Sequence, residues 1–74
     1  MDKEEQQKHV FSAIVESMIS CGVDKSESLD ILTSAALQAF TLISEMSGRN
    51  TLRDLYGLRR QLTELINIYK KGLK

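Results

Sequence analysis

The sequence predicts an all-α protein of three long helices in a helical bundle. Apolar residues recur at spacings of three and four along three stretches of the chain, and proline is absent. Gly22, Gly48 and Gly72 each follow one of these stretches, at the place where glycine commonly ends a helix. Because the predicted loops are short, we expect successive helices to pack antiparallel within a single domain over residues 1–74.

Helix 1 is predicted over residues 3–21, which end just before Gly22. Its apolar residues advance by one and by four, which is typical of a helix with a broad apolar side. We expect that side to pack in the bundle. Its members are Val10, Phe11, Ile14, Val15, Met18 and Ile19.

Helix 2 is predicted over residues 25–47 and is the most apolar of the three. Asp24 precedes Glu27 by three residues, a spacing typical of a capping box at a helix start. Apolar residues cover about half of the helix circumference at 100° per residue. We therefore place helix 2 at the centre of the bundle and expect Phe40 to be buried.

Helix 3 is predicted over residues 52–71, with Asn50 or Thr51 as its N-cap. Its apolar residues follow heptad spacing, which favours coiled-coil-like packing within the bundle. Gly57 interrupts the apolar pattern of the helix. It indicates a tolerated glycine in one continuous helix, a break between helices at 51–56 and from 58, or a close backbone approach by a partner. We call the heptad residues the leucine seam and expect Leu62 to be buried. The seam consists of Leu55, Leu58, Leu62, Leu65 and Tyr69.

Charge is separated along the chain although the net charge is zero. Residues 1–48 carry three lysines and eight acidic residues, a net charge of −5, while residues 49–74 carry seven basic and two acidic residues, a net charge of +5. Helical spacing places basic residues of helix 3 on one face, opposite the leucine seam. We predict that this basic stripe binds a partner, although a solvated helix face is the alternative. The stripe comprises Arg49, Arg53, Arg60 and Lys71, extended by Lys74 if the helix runs that far.

Residues for catalysis or for metal binding are scarce. His9 and Cys21 are the only histidine and the only cysteine, and they lie about three turns apart on one helix. They cannot form a nucleophile–base pair within that helix, nor a metal site by themselves. The sequence also lacks a glycine-rich phosphate-binding loop. We therefore predict a protein that is not an enzyme and has no cofactor, no metal and no small-molecule substrate.

A helix-turn-helix centred on Gly48 is the obvious test for DNA binding. The residues on either side of that glycine and the one six positions beyond it should be apolar, but they are Ser47, Arg49 and Asp54. These three mismatches argue against the motif. Nucleic-acid binding would have to use the basic stripe alone.

The compartment is predicted from the cysteine content and from the N-terminal residues. A lone cysteine fits a reducing environment, and the charged start Met1-Asp2-Lys3-Glu4-Glu5 is unlike a secretory signal. No apolar stretch is long enough to span a bilayer. We expect a cytoplasmic protein that does not bind membranes.

The predicted function is that of a small regulator, adaptor or inhibitor that acts by protein–protein binding. We expect a homodimer, because a chain of 74 residues can hardly cover the broad apolar sides of helices 1 and 2 alone. An acidic protein surface is the expected partner of the basic stripe. The alternatives are a nucleic-acid-associated regulator that uses the stripe, and a small chaperone or structural subunit of a larger assembly.

Overall fold

The computed structural model of the protein describes residues 1–72. These residues form three α-helices and no strand, so the all-α class is confirmed. The helices are α1, Lys3–Ser20, α2, Ser28–Met46, and α3, Thr51–Gly72. The predicted contribution of Lys74 to the basic stripe lies outside the described residues.

The chain divides into two compact units, and the boundary falls inside α2. The first unit, Met1–Ser34, contains α1 and the beginning of α2. The second unit starts at Ala35 and contains the remainder of α2 together with α3. Antiparallel packing of all three helices and a central place for α2 stay predictions.

The start of α1 is fixed by a side-chain cap. The carboxylate of Asp2 accepts a hydrogen bond of 2.9 Å from the backbone N–H of Glu5. This bond satisfies one of the amide groups that a helix start leaves without a partner. Glu4 and Glu5 place further negative charge in the first turn, where the helix dipole favours it.

Gly22 and Gly48 follow the ends of α1 and α2, as predicted. Both adopt the left-handed backbone, with φ of 67° and 68°, which glycine tolerates without strain. The amides of Val23 and Arg49 donate to carbonyl oxygens five residues earlier, at 3.2 and 3.1 Å. This is the Schellman pattern of helix termination. Gly72 does not follow a helix end, because it belongs to the last turn of α3.

The predicted start of helix 2 at residue 25 is wrong, because α2 begins at Ser28. The residues before it form a turn in which the amide of Glu27 donates to the backbone carbonyl of Asp24 at 3.0 Å. The Asp24 carboxylate accepts from the hydroxyl of Ser26 at 3.2 Å. Asp24 thus stabilises a turn where the sequence predicted a capping box.

The α3 helix runs without interruption through Gly57, so the alternative of a break is wrong. Asn50 is the capping residue: its side-chain oxygen accepts from the amide of Arg53 at 3.1 Å. Thr51 is the first helical residue and is free to use its hydroxyl elsewhere.

The burial of side chains differs from the prediction more than any other feature of the fold. No hydrophobic side chain of residues 1–72 is buried, and Ser44, 4% exposed, is the one buried residue among them. Phe40 is half-buried, and Leu62 remains 51% exposed. The prediction that both side chains are buried is therefore wrong for the single chain, by a small margin for Phe40 and by a large one for Leu62.

The leucine seam lies open because α3 meets α2 through a different face. In the second unit, the α3 residues that are shielded are Thr51, Asp54, Gly57 and Leu58. Only Leu58 among them belongs to the seam, whereas Leu65 is 50% exposed and Tyr69 is 69% exposed. The heptad pattern identified an apolar face but not the helix that covers it.

Candidate binding groove in the second unit

The contact between α2 and α3 in the second unit centres on the hydroxyl of Ser44. Its oxygen lies 2.6 Å from a carboxylate oxygen of Asp54 and 3.1 Å from the hydroxyl oxygen of Thr51. A serine has one hydroxyl proton, and a carboxylate can only accept. Ser44 therefore donates to Asp54, and Thr51 can donate its own proton to Ser44. The buried serine is satisfied in this way.

Arg49 closes this polar cluster from the loop between the helices. Its guanidinium donates two hydrogen bonds to Asp54, from Nε to Oδ2 and from Nη2 to Oδ1, each 2.9 Å long. This two-bond geometry matches the fork of an arginine to the two oxygens of a carboxylate. The Asp54 side chain is 14% exposed and that of Arg49 is 65% exposed, so one side of the guanidinium remains in solvent.

The cluster changes the acidity of both charged groups. Hydrogen bonds from Arg49 and then from Ser44 lower the pKa of Asp54 from 3.8 to about 2. The hydrogen bond to Asp54 in turn raises the pKa of Arg49 above its ordinary value. Asp54 is therefore ionised at every physiological pH and holds Arg49 in place.

We expect this cluster to make stability depend on pH in the acidic range. The folded pKa of Asp54 is depressed, so its contribution is complete above pH 4 and is lost as the pH falls towards about 2. Urea unfolding between pH 6 and pH 2 should show this loss, and the Asp54→Asn protein should lack that component. The Asp30→Asn protein, changed at an exposed carboxylate of α2, should keep it. An Asp54→Asn protein with the wild-type pH profile would contradict the prediction.

Next to the polar cluster, residues of α2 and α3 line an open groove of about 440 Å³. Phe40 and Ile43 of α2 and Leu58 of α3 supply its apolar surface. Gly57 forms part of the floor, and a Cβ added there would meet no atom within 4 Å. The polar lining residues are Ser44, Arg49, Arg53, Asp54, Arg60 and Gln61.

Three residues of the predicted basic stripe come together at this groove. Arg49, Arg53 and Arg60 all line it. Arg53 and Arg60 form no direct ion pair within residues 1–72, but the charge of Arg53 contributes to the lowered pKa of Asp54. Lys71, the fourth, lies in the last turn of α3, about 16 Å beyond Arg60 along the helix and outside the groove. Partner binding by these four residues stays a prediction.

The groove combines two kinds of recognition chemistry. Guanidinium groups present several donors in a rigid plane and suit carboxylate or phosphate oxygens. The exposed apolar surface of the groove favours a ligand whose own apolar groups can be buried against it. An occupant that carries both an acid and a large apolar side chain would satisfy the whole surface.

The described part of the chain offers little else for chemistry. Within residues 1–72, no group of three or more histidine, cysteine, aspartate or glutamate side chains could hold a metal ion. Across the same residues, no helix has the length and hydrophobicity needed to traverse a bilayer. Cys21 is a free, exposed thiol at the C-terminal end of α1.

Sequence reasoning found the arginines but missed the residues that organise them. Asp54 and Ser44 stand where a helical hairpin would normally place apolar residues. These two polar residues, ten positions apart, were the available signal in the sequence for a hydrogen bond between the helices. Ile43 gave no such signal, because its apolar character fits any face of α2.

No protein-family model matches the chain, and neither a curated protein nor a solved structure shows significant similarity to it.

Proposed function

We propose that this protein is a small non-enzymatic regulator or adaptor that works by binding other protein surfaces, including a second copy of itself. The supporting observation is the absence of any buried hydrophobic side chain among residues 1–72. Large apolar side chains such as Phe11 and Ile19 are 67% and 75% exposed. Soluble monomers seldom leave apolar surface of this extent uncovered.

Self-association is the simplest way to cover these faces. A homodimer would bury the leucine seam and the apolar sides of α1 and α2 without requiring any other component. Stability would then depend on protein concentration, since dissociation exposes the apolar side chains again. The basic stripe would remain available, in part, for an acidic partner protein.

We expect sedimentation equilibrium at micromolar concentration to give the mass of a dimer. The thermal midpoint should rise with protein concentration, because folding is linked to association. A monomer that unfolds cooperatively at a midpoint independent of concentration would contradict the proposal.

Nucleic-acid binding is the second candidate function, and one observation favours it. Within the described residues, Arg53 and Arg60 are exposed on α3 and form no direct ion pair. Phosphate contacts by such residues would make the affinity for duplex DNA fall linearly with the logarithm of salt concentration. The apolar surface of the groove, formed by Phe40, Ile43 and Leu58, favours a protein occupant, because a phosphate backbone has no apolar group to bury there.

A further inference from the structure

We propose that the arginine-lined groove of the second unit receives α1 from a second copy of the chain. The acidic start of that helix would lie among the arginines, and Phe11 would lie over the apolar floor. This inference rests on the proposed self-association and names the two surfaces that meet.

The α3 residues that line the groove span positions 53–61, about 12 Å or two turns of helix. Arg53 and Arg60 are seven residues apart on α3, which is two turns or about 10 Å. Phe40 and Leu58 supply apolar surface beside them. Amphipathic helices bind such grooves through anchors on one face, spaced by three or four and by seven residues.

The α1 helix carries the complementary pattern on one face, along which exposure falls from Phe11 through Ile14, 40% exposed, to the half-buried Met18. Phe11, Ile14 and Met18 have the anchor spacing, and Phe11 is 67% exposed. Glu4 lies seven residues before Phe11 on the same face, again about 10 Å away. No residue of α1 is fully buried, and the end of this face that carries Glu4 and Phe11 is exposed and can meet a partner.

The charges favour α1 over the other surfaces of the protein as the occupant. Two copies of α3 would bring like charges together, because residues 49–74 carry a net charge of +5. Up to its last residue, Ser20, α1 and its cap carry four acidic residues and two lysines. A helix of opposite charge lowers the energy of the contact and selects its orientation.

The same contact can be made twice between two copies. If α1 of each chain enters the groove of the other, the two contacts are related by a twofold axis and close the assembly as a dimer. Both grooves and both α1 helices are then occupied, so this contact cannot add a third chain to the dimer.

Gly57 gives this occupant room to approach. The glycine lines the groove, and a Cβ added there would meet no atom within 4 Å apart from its chain neighbours and the backbone of its own helix. A helix without a side chain at this point lets a second backbone come close. Alanine favours helix more than glycine does, so this glycine costs stability in the free chain.

A charge exchange in the chain of residues 1–74 tests the contact. One variant carries Arg53→Glu with Arg60→Glu, and the other carries Glu4→Lys with Glu5→Lys. In sedimentation equilibrium, each variant alone should dimerise at least about tenfold more weakly than the wild type, because like charges meet at both contacts. In an equimolar mixture, the reversed helix meets the reversed groove and the two unchanged surfaces meet each other. The mixture should therefore recover a dimer of near wild-type affinity.

The matched control reverses the same number of charges on α3 away from the groove. Arg59→Glu with Lys70→Glu gives the same change in net charge, and neither residue lines the groove. This control should dimerise like the wild type, and circular dichroism should show that all the variants remain helical. Unchanged dimerisation of both test variants, or a mixture that stays dissociated, would overturn the inference and leave self-association itself intact. A monomeric wild type would overturn the proposed self-association as well.

Gly57→Ala is a second variant that does not threaten folding. Because the added methyl group meets open space and alanine favours helix, the thermal midpoint at low concentration should rise. The dimer should nevertheless weaken several-fold, because the methyl group occupies the path of the incoming helix. A variant that gains stability and keeps full dimer affinity would overturn the close approach.

Discussion

Replacing Leu62 and Leu65 by alanine together should abolish self-association at micromolar concentration and strongly destabilise the assembled protein. Both side chains are about half exposed in the single chain, at 51% and 50%, where their loss would cost below about 1 kcal/mol each. Burial in a dimer raises the cost to about 2–5 kcal/mol per leucine. A combined loss of that size approaches the whole stability of a small domain, about 5 kcal/mol or somewhat more. Urea unfolding followed by circular dichroism measures it.

Ile68→Ala supplies the control for the leucine seam. Ile68 is 65% exposed on the same helix and lies outside the heptad positions. Its replacement should change the free energy of unfolding by less than about 1 kcal/mol. If the double leucine variant lost no more than this control, the seam would be a solvated face and would not take part in assembly.

Phe40→Ala should have the second largest effect, about 3 kcal/mol or more in the assembled protein. Phe40 is half-buried within the second unit, and its remaining surface lines the groove. An occupant of the groove would cover that surface, so the substitution would leave a cavity of nearly a full aromatic side chain. The loss should grow with protein concentration, because only the associated form completes the burial. Unfolding measured at two concentrations separates these contributions.

Met46→Ala is the matched change on the same helix. Met46 is 78% exposed and does not line the groove, so its truncation should cost below about 1 kcal/mol. A loss of similar size for Phe40→Ala would show that the groove stays open to solvent. The proposed docking of α1 would then have no energetic support.

Local interactions explain what the sequence predicted well. The left-handed backbone at Gly22 and Gly48 depends on the glycines themselves, so the ends of α1 and α2 could be located within one residue. The cap of α3 was narrowed to Asn50 or Thr51 for the same reason. The start of α2 was misplaced because Asp24 has two local uses, and its turn with Ser26 prevailed over a capping box.

Of the candidate site, only the basic residues could be predicted from the sequence. Helical spacing places Arg53 and Arg60 on one face whatever the helix packs against. The polar residues that join α2 to α3, Ser44 and Asp54, come from different helices. Their contact depends on how the helices cross, so the polar character of the two positions was a signal for it, whereas the spacing within either helix was not.

The sequence alone determined the helical class, the glycine stops at Gly22 and Gly48, and the separation of charge between the two halves of the chain. These properties follow from backbone preferences and from composition, which act over a few residues. Only the tertiary structure decided which face of α3 meets α2. The face that carries Thr51, Asp54 and Leu58 makes the contact, and the other residues of the leucine seam do not. Hydrophobic periodicity shows that a helix face avoids water, but the partner of that face is set by the best combined packing and hydrogen bonding of two elements.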